Sequence, residues 1–84
     1  MGTFARVTEE AIDQRRFWQT EQYFNFVERM RQNATPEVAN AIDVSYIEYL
    51  AFSEVTDNRL QAMKQMPKGI RAVLLEIDGR GRWA

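Results

Sequence analysis

Thr35 and Pro36 open a segment that runs on to Phe52 with no further Gly or Pro, and apolar side chains lie on nearly every side of it. A capping hydroxyl followed by Pro at the first helical position is a strong helix start. At about 100° per residue, Val38, Ile42, Tyr49 and Phe52 crowd one side, while Val44, Ile47, Leu50 and Ala51 fill much of the other. A helix that is apolar all round belongs in the middle of its domain, where every face is covered. This segment is therefore expected to be the central element, with Asn40, Asp43 and Glu48 as its polar edges. In that projection Asn40 and Asp43 adjoin each other at i, i+3, and Glu48 lies on a different side.

The remaining sequence supplies its neighbours. A first helix is capped by Thr3 and runs to about Gln14, with Phe4, Val7, Ala11 and Ile12 on one face and Glu9, Glu10 and Asp13 on the polar side. Arg15 and Arg16 suit its end, where the helix dipole favours cations. A second helix, from about Phe17 to Gln32, carries Tyr23, Phe24, Phe26, Val27 and Met30 as one apolar stripe. Trp18 falls off that stripe; it either packs at the joint with the first helix or is an exposed anchor for a partner. The connection at Asn33 and Ala34 is so short that the second and third helices must form an antiparallel hairpin.

Thr56 or Asp57 caps a fourth helix that turns Leu60 and Met63 inward and stops near Met66, because Pro67 cannot continue it and Gly69 weakens an immediate restart. Ile70, Val73, Leu74 and Ile77 then recur at i, i+3, i+4 and i+7, closed by Asp78 and Gly79. The expected fold is all-α: one domain over residues 1–84, a compact bundle of four to five helices built around the hairpin, with a flexible C-terminal arm at 79–84.

The stretch FNFVERMRQNATPEVANAIDVSYIEYL resembles a family of small, uncharacterised bacterial helical proteins. Their pattern joins an F-x-F-[IV]-E helix, through a turn, to E-V-x-N-A-[IV]-x-V-S-[FY]-[IL]-E-x-L. The likeness extends back through FARVTEEAID and, more loosely, forward through RLQAMKQMPKGIRAVLLEID. It implies a HEAT-type pair of antiparallel helices and no established activity. Members usually carry an acidic, aromatic-rich segment before the FAR stretch, so this chain is expected to be a short or trimmed member. Some similar proteins are encoded beside secreted toxins and look like immunity proteins. No second copy of the unit recurs at a solenoid period, so an extended array is not expected.

Composition narrows the chemistry. The chain has 84 residues, 11 basic and 12 acidic side chains, and neither Cys nor His. Disulfides, Cys and His zinc sites, and the Ser-His and Cys-His nucleophile pairs are thereby excluded, and a cytoplasmic setting is expected. No apolar run approaches the ~18 residues of a membrane span. Carboxylates alone remain for catalysis, and Glu9, Glu10 and Asp13 read as a solvated helix face. No cofactor and no metal are expected, and the chain is not expected to be an enzyme.

The candidates that remain are partner-binding ones. Two Trp, three Tyr and five Phe are many for a domain of this size. Tyr46 and Tyr49 cannot both be central, since each phenol needs a partner or water, so one of them or Trp18 is the expected exposed anchor. Asp43 either pairs with an Arg from a neighbouring helix or from the tail while Asn40 bonds a loop backbone, or both line a partner-facing groove. Arg80, Arg82 and Trp83 form a cationic arm; Trp83 folds back on apolar surface, or the tail meets an acidic partner or a second subunit. The leading expectation is a non-enzymatic protein-interaction domain, toxin-neutralising or regulatory. The alternatives are a homo-oligomer whose interface buries the aromatics and, third, weak nucleic-acid binding through the arm.

Overall fold

Five helices follow one another in a computed structural model that describes residues 2–79, 81 and 83, with side chains described from Phe4 onward. Helix α1 spans Gly2–Asp13 and α2 spans Phe17–Gln32. Helix α3 is continuous through three parts: Pro36–Ile42 in α geometry, Asp43–Ile47 in π geometry, and Glu48–Ala51 in α geometry again. Helices α4, Asp57–Met63, and α5, Lys68–Ile77, complete an all-α bundle with no strand among the described residues. No described helix is long and apolar enough to cross a membrane.

Several starts are set by the residues the sequence singles out. Thr35 Oγ1 accepts from the Val38 amide at 3.3 Å, with Pro36 behind it, and Thr56 Oγ1 does the same for the Arg59 amide. Helix α1 differs: it already includes Gly2, so Thr3 lies within it rather than capping it. Its end is a left-handed cap. Arg15 has φ 61°, its amide donates to Ile12, and the Arg16 amide reaches back to Ala11. Gly usually fills that position; here Arg accepts the left-handed backbone, and its guanidinium lies 5.9 Å from the Phe17 ring centre.

Around α3, α1 packs on α2, on the middle and end of α3, and on α4, while α5 closes against α2 and the later part of α3. The shared core contains Ala5, Ile12, Phe24, Val27, Tyr46, Ile47, Leu50, Ile70 and Leu74. Helix α3 is central, but it is not covered on every side. It buries Ile42, Tyr46, Ile47, Leu50 and Ala51 and leaves Val38, Val44, Tyr49 and Phe52 exposed. Likewise Val7 and Phe26 are exposed where they were expected in apolar stripes, and Thr8 and Thr20 are buried instead. Those hydroxyls are satisfied by their own helices, at Phe4 O and Arg16 O.

Tyr46 is fully buried, which rules it out as an exposed anchor. Its ring stacks on Phe4 at 5.5 Å and its hydroxyl lies 2.7 Å from Thr8 Oγ1. Since Thr8 spends its single proton on the Phe4 carbonyl, the phenol is the donor in that pair. Trp83, expected in a flexible arm, is also buried. Gly81, at φ 73°, reverses the chain after α5. The Trp83 amide then meets Asp78 Oδ2 at 2.9 Å, and its indole N–H meets the Ala51 carbonyl at 2.9 Å. Folding back is the alternative the molecule adopts. Arg80 and Arg82 lie outside the described residues.

Polar contacts between helices do the rest. Pro67 offers no side chain to cap α5. Glu28 of α2 supplies that cap, accepting from the Gly69 amide at 2.9 Å and the Ile70 amide at 3.1 Å. A Cβ on residue 69 would come within 2.5 Å of that carboxylate, so Gly69 is what allows the approach. On the other side Arg59 grips Asp13 with two nitrogens, at 3.1 and 2.9 Å, and donates to the Glu54 carbonyl at 2.7 Å. The first-helix acids are thus not simply a solvated face; Glu9 stands 3.7 Å from the same guanidinium.

Two outcomes follow for stability. Glu28→Ala should cost about 1–2 kcal/mol, as loss of a helix cap does. Gly69→Ala should stabilise the Glu28→Ala background by about 0.5–1 kcal/mol through helix propensity, but not the wild type, where it evicts the carboxylate. A four-variant urea-unfolding cycle measures that coupling. Burial pushes the Tyr46 phenol above its ordinary value. The protonated phenol is therefore favoured by folding. Stability should be intact below about pH 10 and fall by about 1.4 kcal/mol per unit above it, and Tyr46→Phe should remove that slope.

Candidate functional site

The exposed side of α3 is where side chains collect without a structural task. Val44 and Phe52 are 53% and 65% exposed, and Tyr49 beside them is 39% exposed. Between Val44 and Phe52 lies the half-buried Glu48. An open groove of about 610 Å³ runs along the α1 side of this ridge, lined by Glu9, Val44, Ser45, Glu48, Tyr49 and Phe52. A second, of about 440 Å³, runs along the α5 side and includes Asn40, Asp43, Val44, Glu48, Glu76 and Ile77. Val44 and Glu48 belong to both, so the two grooves flank one ridge.

The ridge owes its direction to the π turn. In an unbroken α-helix Ile42, Tyr46, Ile47, Leu50 and Ala51 would spread over about half the cylinder. Widening the turn at Asp43–Ile47 puts one extra residue into it and brings these five to the core side. The Glu48 amide reaches back five residues to Asp43, and Ser45 Oγ donates to the Ala41 carbonyl at 2.6 Å. The same re-phasing turns Val44 and Phe52 outward and carries Glu48 into the groove with Asn40 and Asp43. That corrects the reading from an ideal helix, in which Glu48 stood apart from the other two.

Charge along the grooves is one-sided. Among the described residues, Glu9, Asp43, Glu48 and Glu76 line them, against the single guanidinium of Arg31. Arg31 is already committed: its Nε and a terminal nitrogen hold both Asp43 oxygens at 2.7 and 3.2 Å. That hydrogen bond, more than any other influence, raises the guanidinium pKa and keeps it charged. Asp43 thus pairs with a neighbouring helix and lines a groove at once. Glu48 and Glu76 make no ion pair among the described residues. No group of three carboxylates among the described residues is placed to hold a metal ion. What the face offers is apolar contact bordered by carboxylate acceptors.

Of the residues singled out from the sequence, Asn40, Asp43 and Tyr49 come together around α3. Asn40 is exposed on the groove rim and makes no side-chain bond to a loop. Trp18, 73% exposed on α2, is the most exposed of the large apolar side chains described and lines neither groove. It does not pack at the joint with α1. Tyr46 and Trp83 are buried in the core, so the Trp83 ring is not presented for stacking on a base. Sequence reasoning missed Val44, Phe52, Glu48 and Glu76 as parts of one face. The available signal was that α3 carries more apolar surface than four short neighbours can cover.

The comparisons with known proteins bear on the whole bundle rather than on this face. No curated protein and no solved structure matches the chain. A family model described as a domain of unknown function, DUF7674, matches residues 1–81, which takes in every described helix, and the chain belongs to that family.

Proposed function

We propose that this is a non-enzymatic protein-interaction domain that holds its partner on the outward face of α3. The observation that carries the reading is the exposure of Val44, Tyr49 and Phe52 on one ridge between two grooves. Clustered apolar side chains rimmed by polar ones mark interaction surfaces, whereas scattered single ones do not. An exposed aromatic residue at the centre of such a patch is the usual source of binding energy.

The acids best placed for catalysis in the sequence support the same reading. Asp13 is bound by Arg59, with Glu9 3.7 Å from the same guanidinium, and Asp43 is bound by Arg31. A general acid or base needs a carboxylate in a cleft with a shifted proton affinity. The partner is a protein in the cytoplasm, and neutralisation of a toxin or regulation of another protein is the specific form we favour.

Val44→Glu with Phe52→Glu should leave the melting temperature within a few degrees, since both positions are largely solvent-exposed. A partner captured from the source cells by the wild type should be lost, while Trp18→Ala should retain it. Retention of the partner by the folded double variant overturns the proposal. Light scattering on wild type and variant tells a second copy of the chain from a different protein.

A further inference from the structure

We propose that the occupant of the α3 face is a cationic amphipathic helix of another protein, with a Lys or Arg set inside its apolar stripe. This rests on the face being a docking surface and names what docks there. Shape points to a helix. Among the described residues there is no strand edge that an extended peptide could lengthen. Val44, Glu48 and Phe52 follow one another at i, i+4 and i+8, a ridge about 12 Å long at 1.5 Å per residue. A groove lies on either side of it. An i±4 ridge between two grooves is the surface against which a second helix interdigitates.

Charge fixes the sign. Glu48 sits between the two most exposed apolar residues of the ridge and makes no ion pair among the described residues. Any helix that covers Val44 and Phe52 also covers Glu48 and removes its water. A buried carboxylate without a partner is costly, so the incoming helix must bring a cation to that point. Glu9 and Glu76 border the grooves further out, and among the described residues the only lining cation, Arg31, is engaged with Asp43. An acidic or a purely apolar helix meets repulsion or strands Glu48. Among the described residues, Lys68 and Arg71 line a different depression with Met66 and Leu75 on α5. The near-neutral total charge hides this segregation.

The test uses the whole chain and three synthetic peptides of about 18 residues that share one Leu stripe and differ at one position inside it, which is Lys, Ser or Glu. The Lys peptide should bind about tenfold or more tighter than the Glu peptide, weaken with added salt, and shift the amide signals of residues 44–53 and 73–77. Glu48→Lys should reverse that ranking, and Glu21→Lys, on the exposed face of α2, should leave it unchanged. Equal affinity for the Lys and Glu peptides, signal shifts elsewhere, or indifference to Glu48→Lys overturns the inference. Self-association lost in Glu48→Lys also overturns it, by showing the occupant to be a second copy. If Phe52→Glu abolishes binding of the natural partner while the Lys peptide fails to bind, the docking face stands and the cationic helix falls.

Discussion

One extra residue in the turn at Asp43–Ile47 decides which side of α3 becomes core. Without it, the buried set of this helix would wind around half of its circumference. With it, Tyr46, Ile47, Leu50 and Ala51 join Ile42 against α1 and α5. The hydroxyls of Ser45 and Tyr46 both belong to this turn: one bonds the helix's own carbonyl, the other ties the ring to Thr8 of α1. π turns of this kind are frequent where a helix also carries a function, and here the outward ridge is the direct result of the inward correction.

Two of the helices around it are too short to persist alone. Nothing as brief as Asp57–Met63 or Lys68–Ile77 is stable as an isolated helix in water. Their order comes from packing and from polar contacts made between elements. Glu28 supplies in space the cap that Pro67 cannot supply in sequence, Arg59 draws α1 and α4 together, and Trp83 closes the open end of α3. Each of these joins residues more than thirty positions apart in a chain with no disulfide to do that work.

Much of the bundle was legible from local chemistry. Thr35 with Pro36, Thr56, and the Ile70, Val73, Leu74, Ile77 stripe each marked an element from its own few residues. What stayed hidden depends on geometry that an ideal helix lacks or on partners distant in sequence. A projection at a constant angle separates Glu48 from Asp43; only the π turn unites them. Gly69 read as a helix weakener, because the carboxylate that needs its missing side chain stands forty-one residues earlier. Tyr46 and Tyr49 were indistinguishable by pattern, and a neighbouring Thr on another helix decided between them. The site was legible at Asn40, Asp43 and Tyr49, and illegible where exposure rather than polarity defines it.

The placement of the two tryptophans has an optical consequence. Trp83 is sealed beneath the end of α3, and Trp18 stands almost wholly in solvent on α2. The native emission is therefore a sum of a blue, quencher-resistant component and a red, quencher-accessible one. The first reports whether the bundle is closed. The second is blind to folding of the core yet sensitive to anything that settles on the outer surface of α2. Neither indole lines the α3 grooves, so a ligand seated there meets neither ring directly.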